Sequence, residues 1–245
     1  MNLDVTQTIT VDDLVLDPCP YFHVKNVLPI GIYNQLVSEY PEKYILEDGK
    51  IFFQARRYCP HEFIEGSITP LWKEFIEFHS GQIYKDRVLS LFEPALEKYY
   101  KDSIDEFKSS KVTLRHSGEK NKIQMEVQFV LNGQQSETVR TAHLDNTREL
   151  FAGLLYMRYS NDNSKGGDFQ IFKSTVKNPD FYEGTREVNI SQVEVAKTIP
   201  YAENSMVLFL NTKDTLHGVT PRLGASTYRR YVNIDAHQDK KLFKV

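Results

Sequence analysis

From Lys111 to the C-terminus the chain reads as one short β-segment after another. VTLRHS, IQMEVQFVLNG and ETVRTAHLD, then GLLYMRYS, GGDFQIFKS, SQVEVAKTIP, SMVLFL, HGVTP and YRRYVNID, alternate or run apolar in β-forming residues. Turn residues such as Ser117-Gly118 and Asn132-Gly133 separate them, the latter pair a hairpin signal. No long helical pattern interrupts the series. A succession of this kind favours a sandwich or jelly roll over a parallel α/β sheet.

The N-terminal part has a different period. Residues 20–27 read as a strand. Pro29 then opens a helical pattern with Ile32, Leu36 and Tyr40 at helix spacing, which Pro41 stops. Thr69 and Pro70 start another helix with Leu71, Trp72, Phe75, Ile76 and Phe78 on its apolar face, ended by Gly81. A third spans Tyr84 to Lys101, kinked at Pro94. Residues 42–66, mixed and rich in Tyr, Phe and Arg, read as a loop over a cleft. The expected architecture is α+β, mainly β: one domain over 1–245, with a helical buttress and first strands in 1–110 and a β-core in 111–236.

Composition narrows the function. A net charge of −3, with no block of like charge, gives no footprint for nucleic acid. The N-terminal MNLDVTQTITVDDLVLD lacks the apolar core of a secretory signal and no run is long enough to span a bilayer, so a cytoplasmic protein with no membrane contact is expected. Cys19 and Cys59 lie 40 residues apart and form no metal-binding pattern, so both are expected to be free thiols.

The motif that carries chemistry is His143-Leu144-Asp145. On an extended chain side chains two apart share a face, so this imidazole and carboxylate converge. His217, at the end of the strand that follows SMVLFL, can supply a third ligand. Two histidines and a carboxylate form the facial triad of non-haem iron sites. With 7 histidines and 33 acidic residues in the chain, about one His-x-acid spacing arises by chance. A second copy, His237-Gln238-Asp239, sits in the charged tail HQDKKLFKV and is expected to be solvated surface. His23, His61, His79 and His116 have no comparable context and are read as surface or satisfied core residues. Gly166-Gly167 is a turn into a strand, since no helix follows to make a phosphate cradle.

The order of His143-Leu144-Asp145-Asn146, LLYMRYS, Gly166-Gly167-Asp168-Phe169, SMVLFL, His217-Gly218-Val219-Thr220-Pro221 and an Arg-bearing strand resembles the Fe(II)- and 2-oxoglutarate-dependent oxygenases of the prolyl 4-hydroxylase-like type. The likeness covers roughly residues 110–236. It implies a double-stranded β-helix, a jelly roll with the metal in its mouth, in which His143, Asp145 and His217 hold Fe(II). It further implies that an Arg on the strand after the distal His anchors 2-oxoglutarate. Arg229 is preferred because RRYVNI then reads like the family's Arg-x-Ser-Leu-Asn-Ile strand, with Tyr231 where Ser is usual; Arg230 is the alternative. Tyr156 is a candidate for a hydroxyl contact to the same carboxylate. The implied reaction consumes 2-oxoglutarate and O2, releases succinate and CO2, and hydroxylates a C–H bond. Asp145 makes hydroxylation the default, because relatives that halogenate lack this carboxylate. A small-molecule substrate is expected, with a peptide open. The competing readings are a non-redox, cupin-like ligand-binding jelly roll and a zinc-dependent enzyme on the same fold.

Overall fold

The computed structural model describes residues 2–52, 55–133 and 140–244. Among these residues six α-helices precede most of the sheet: α1 (Ile30–Ser38), α2 (Glu42–Asp48), α3 (Pro70–His79), α4 (Gln82–Leu91), α5 (Glu93–Tyr99) and α6 (Ile104–Ser109). The strands are β1 (Tyr21–Lys25), β2 (Lys50–Phe52), β3 (Ala55–Tyr58), β4 (Val112–Leu114), β5 (Ile123–Asn132), β6 (Glu149–Tyr156), β7 (Lys165–Gly166), β8 (Phe169–Ser174), β9 (Val193–Ile199), β10 (Ser205–Leu210), β11 (His217–Val219), β12 (Arg222–Leu223) and β13 (Arg229–His237).

A large sheet runs in the order β1-β10-β6-β13-β5-β3-β2, with β4 added parallel to β5. Its other pairings are antiparallel. A smaller sheet, β11-β8-β9, is extended by bridges from His143 to His217 and to Glu187. Strand alternation decides what each face does. On β13, Val232, Ile234 and Ala236 join a core shared with Leu36, Trp72, Phe75, Leu89 and Leu96 of the helices. The opposite face contributes Val130, Ala152, Tyr156, Val207 and Phe209 to a second core with Phe169 and Ile171 of the small sheet. The result is a mixed helix and antiparallel-sheet fold in which the large sheet is covered by helices on one face and by the small sheet on the other.

The helices begin where the residues dictate. The Thr69 hydroxyl accepts from the Trp72 amide at the start of α3, and Pro70 occupies the first turn, where its missing N–H costs nothing. The helical pattern from Tyr84 is two helices rather than one kinked helix. Pro94 opens α5, and the chain turns at Phe92 to admit it. Residues 42–66 also depart from expectation. Pro41 precedes the short α2, and β2 and β3 then add two strands to the edge of the large sheet. Ala55 and Arg57 therefore form part of a cavity wall instead of a loop over it. Of the segment following Asn132-Gly133, residues 134–139 lie outside those described. Cys19 and Cys59 are free and buried.

Candidate metal centre and its cavity

The small sheet brings the candidate ligands together. His143 and His217 exchange backbone hydrogen bonds, His143 N to His217 O at 2.9 Å and the reverse at 3.0 Å. The His217 ring lies against Phe169 and Phe209, at centroid distances of 5.2 and 4.9 Å, so the imidazole is fixed before any ligand arrives. Asp145, two residues past His143, places Oδ1 3.6 Å from His143 Nε2 and Oδ2 3.2 Å from His217 Nε2. One donor atom from each of the three residues lies within 4.8 Å of the other two.

Both histidines are held in the ligating tautomer. Each Nδ1 sits beside a backbone carbonyl two residues upstream, Thr141 O at 2.8 Å for His143 and Thr215 O at 3.1 Å for His217. Donation by Nδ1–H leaves the Nε2 lone pair facing the carboxylate. Burial, reinforced by the neighbouring His217, lowers the His143 pKa to about 4, so the ring is neutral at pH 7. Burial opposes ionisation of Asp145, but His217 and His143 outweigh it and hold the carboxyl well below its usual range. A neutral His143 ring and an ionised Asp145 carboxylate suit a divalent ion, which binds deprotonated donors. Ligands about 2.1 Å from an ion and at right angles stand about 3 Å apart, close to the two spacings found here. The residues therefore fit a facially bound metal.

At the other end of the cavity Arg229 is 2% exposed. Its Nε donates to Gly167 O at 2.8 Å, and its guanidinium carbon lies 4.9–5.1 Å from the ring centres of Tyr156, Tyr201 and Tyr231. Gly167 has φ +74°, a left-handed conformation that glycine adopts without strain. The first rungs of β13 are pinned by tyrosine hydroxyls. Tyr201 Oη accepts from Arg230 N, and Tyr40 Oη lies 2.9 Å from Tyr231 O. Among the described residues Arg229 Nη2, Tyr156 Oη and Asn132 Nδ2 have no hydrogen-bond partner. Nor does any described carboxylate form an ion pair with Arg229. A buried cation and buried donors left unmatched together mark a place for an anion with several acceptors.

Arg230 points to the opposite face of β13. Its Nε donates to Met157 O at 2.7 Å, its Nη1 lies 3.6 Å from Glu42 Oε2, and its guanidinium covers the Tyr159 ring at 3.8 Å. Arg222 is committed elsewhere, to Asp162 at 2.6 Å and Ser164 at 2.8 Å. Tyr156 is fully buried beside Arg229, and burial pushes its phenol pKa up.

The tail motif is a correction. His237 is the last residue of β13, 6% exposed, and faces the cavity with Asp235 and Glu149. The charged neighbours in HQDKKLFKV suggested solvent. The period-2 stripe that places Arg229, Tyr231 and Asn233 on one face, continued by two rungs, points Asp235 and His237 inward. Arg115 closes this cluster, its Nη1 3.0 Å from Glu126 Oε2 and 2.9 Å from His237 Nε2. The Glu149 carboxyl is held well above its usual range, first by burial and then by the nearby Asp145 and Asp235. Arg57, Arg140 and Arg186 also line the cavity, and no motif in the sequence singled them out.

No protein-family model and no curated protein sequence matches this chain. Solved structures do. A Pseudomonas putida prolyl-4-hydroxylase aligns over 94% of this chain and 98% of its own, with a TM-score of 0.52 and 14% identity. A Trichoplax adhaerens prolyl hydroxylase, solved in complex with a hypoxia inducible factor peptide fragment, aligns over 98% of this chain and 92% of its own, with a TM-score of 0.52 and 10% identity. At that identity the likeness speaks for the backbone, and the chain has the fold of the prolyl 4-hydroxylase-like oxygenases.

Proposed function

We propose that this chain is a non-haem Fe(II)- and 2-oxoglutarate-dependent dioxygenase that hydroxylates an unactivated C–H bond of a small molecule, built on a double-stranded β-helix. One observation carries the reading. A preset His-Asp-His triad shares its cavity with a buried arginine whose outer nitrogen has no partner among the described residues.

His143, Asp145 and His217 hold the ion on one side and leave its other positions open. Arg229 binds the far carboxylate of 2-oxoglutarate; its planar fork remains charged inside the fold, and Nη2 is free to donate. Tyr156 Oη donates to the same carboxylate. The three tyrosine rings around Arg229 exclude water and hold the guanidinium in place before binding, which reduces the entropy lost on association. Iron and 2-oxoglutarate supply the oxidising chemistry, in which O2 converts 2-oxoglutarate to succinate and CO2 and hydroxylates the substrate. Phe169, stacked on His217, and Phe209, tilted against it, keep the metal side of the cavity apolar. The two prolyl hydroxylases with this fold make a peptide substrate the alternative to a small molecule.

Incubation with Fe(II), 2-oxoglutarate and air, with succinate quantified across a substrate panel, tests the proposal. Succinate formation that is lost in His217→Ala supports it. Tight zinc binding with no succinate under any condition overturns it in favour of a zinc site.

A further inference from the structure

The cavity has a second polar wall that iron and 2-oxoglutarate leave unused. The inward stripe of β13 ends in Asp235 and His237, and Glu149 stands opposite His237 on β6. Asp235 is 1% exposed and Glu149 9%. Asp235 Oδ2 accepts from Asn233 Nδ2 at 2.8 Å, but Oδ1 accepts no hydrogen bond among the described residues. The Glu149 side chain has no hydrogen bond there either; the imidazole of His237 places Nε2 3.6 Å from its Oε2. The basic groups nearby do not complete it: Arg115 Nη1 bonds Glu126 and His237 and stays 3.9 Å from Asp235 Oδ1, His237 Nε2 lies 3.2 Å from that oxygen without a hydrogen bond to it, and Arg57 acts on both carboxyls through its charge. A buried carboxylate oxygen without a donor is costly, and a ligand that brings N–H donors and positive charge removes that cost.

The position matters as much as the charge. Phe209, against which the His217 ring lies, pairs with Ala152, and Ala152 pairs with Asp235. Asp235 is thus on the same rung as Phe209, which packs against the candidate ligand His217, two strand spacings or about 10 Å across the sheet, and Glu149 lies one inward position further along beside His237. Arg229 is six residues along β13, about 20 Å away at strand rise. Side chains from both sides fill part of the 10 Å, so a molecule touching both the metal side and the acidic pair spans only a few bonds. A second metal ion fits this pair less well, since His237 Nε2 already faces the Arg115 guanidinium.

We propose that Glu149 and Asp235 recognise a cationic nitrogen of the substrate, so that the enzyme hydroxylates a small primary or secondary amine at a carbon a few bonds from that nitrogen. This rests on the oxygenase reading above. The balance is amine R–H plus 2-oxoglutarate plus O2 giving R–OH plus succinate plus CO2. The nitrogen is neither oxidised nor bonded; it is held while a C–H bond is replaced by C–OH.

Paired probes test this: L-leucine, L-proline and cadaverine, each beside its N-acetylated form. Binding is read by thermal shift on metal-free protein and on protein loaded with Mn(II) and 2-oxoglutarate, and turnover as succinate with Fe(II) in air. At least one amine is expected to bind about tenfold or more tighter than its N-acetyl partner, in metal-free protein as well. That preference is expected to disappear in both Asp235→Asn and Glu149→Gln, with circular dichroism confirming each fold. Equal responses to amine and amide, no response to any amine, or a preference that survives both substitutions overturns the proposal. So does a second equivalent of bound metal that is lost in Asp235→Asn. An amine preference without succinate in any condition would instead leave the acidic pair standing and remove the oxygenase reading.

Discussion

Replacing Arg229 by Met should separate binding from folding. The guanidinium is 2% exposed, has no described carboxylate partner and donates to Gly167 O at 2.8 Å and, more weakly, to Asn132 Oδ1 at 3.4 Å. An unpaired buried charge costs several kcal/mol, and contact with an aromatic face returns about 0.5–2 kcal/mol per ring. With three tyrosines around it, the two effects nearly cancel. For a chain of 245 residues, an unfolding entropy of about 2.1 cal/mol/K per residue makes 1 kcal/mol worth about 2 °C. The ligand-free variant should therefore melt within about 3 °C of wild type. Wild type at 2-oxoglutarate a hundredfold above its Kd gains about 2.7 kcal/mol, a rise of about 5 °C. Arg229→Met should show none of that rise at the same concentration. Anaerobic thermal melts with Mn(II), with and without 2-oxoglutarate, decide it. An undiminished rise would show that Arg229 does not hold the cosubstrate, and a drop of 10 °C or more without ligand would make the residue structural.

The same melts on Arg230→Ala should keep the full 2-oxoglutarate response, because this side chain serves Met157 O and Glu42 on the other face of β13; loss of the response would exchange the roles of the two arginines. Arg222→Met leaves the buried Asp162 with Arg158 Nε at 3.4 Å as its remaining cation, and should cost about 3 kcal/mol, or about 6 °C; an unchanged midpoint would refute the buried pair's role. Burial lowers the pKa of His79 to about 4, below its unfolded value near 6.5. Between those values the unfolded chain binds more protons, so this contribution is full above pH 6.5 and is lost as pH falls towards 4, to a total of about 3 kcal/mol. His79→Gln should flatten the stability profile in that window; an unaltered slope would place the acid sensitivity elsewhere.

The triad was legible because its geometry is local. His143 and Asp145 need only an extended chain to share a face, and His217 needs only a strand end. Arg229 was preferred over Arg230 on the resemblance of RRYVNI to the family's strand, and Arg229 lines the cavity. What the sequence hid was contributed by pairing partners far away in the chain. Glu149 meets Asp235 and His237 only because β6 lies against β13, and Arg115 reaches them from the loop after β4. Nothing in residues 42–66 announced two edge strands, since Ala55 and Arg57 find their partners 75 or so residues later on β5. His237 misled because charged neighbours outweighed the strand period, although its stripe was already marked by Arg229, Tyr231 and Asn233.

The most direct test of the central claim is anaerobic titration of the protein with Fe(II) in the presence of 2-oxoglutarate, followed in the visible range. A weak charge-transfer band that saturates at one iron per chain, and is absent from Asp145→Ala and His217→Ala, is the predicted result. Iron that binds without the band, or a band that persists when either ligand is removed, would contradict the claim that these side chains assemble one reactive metal centre.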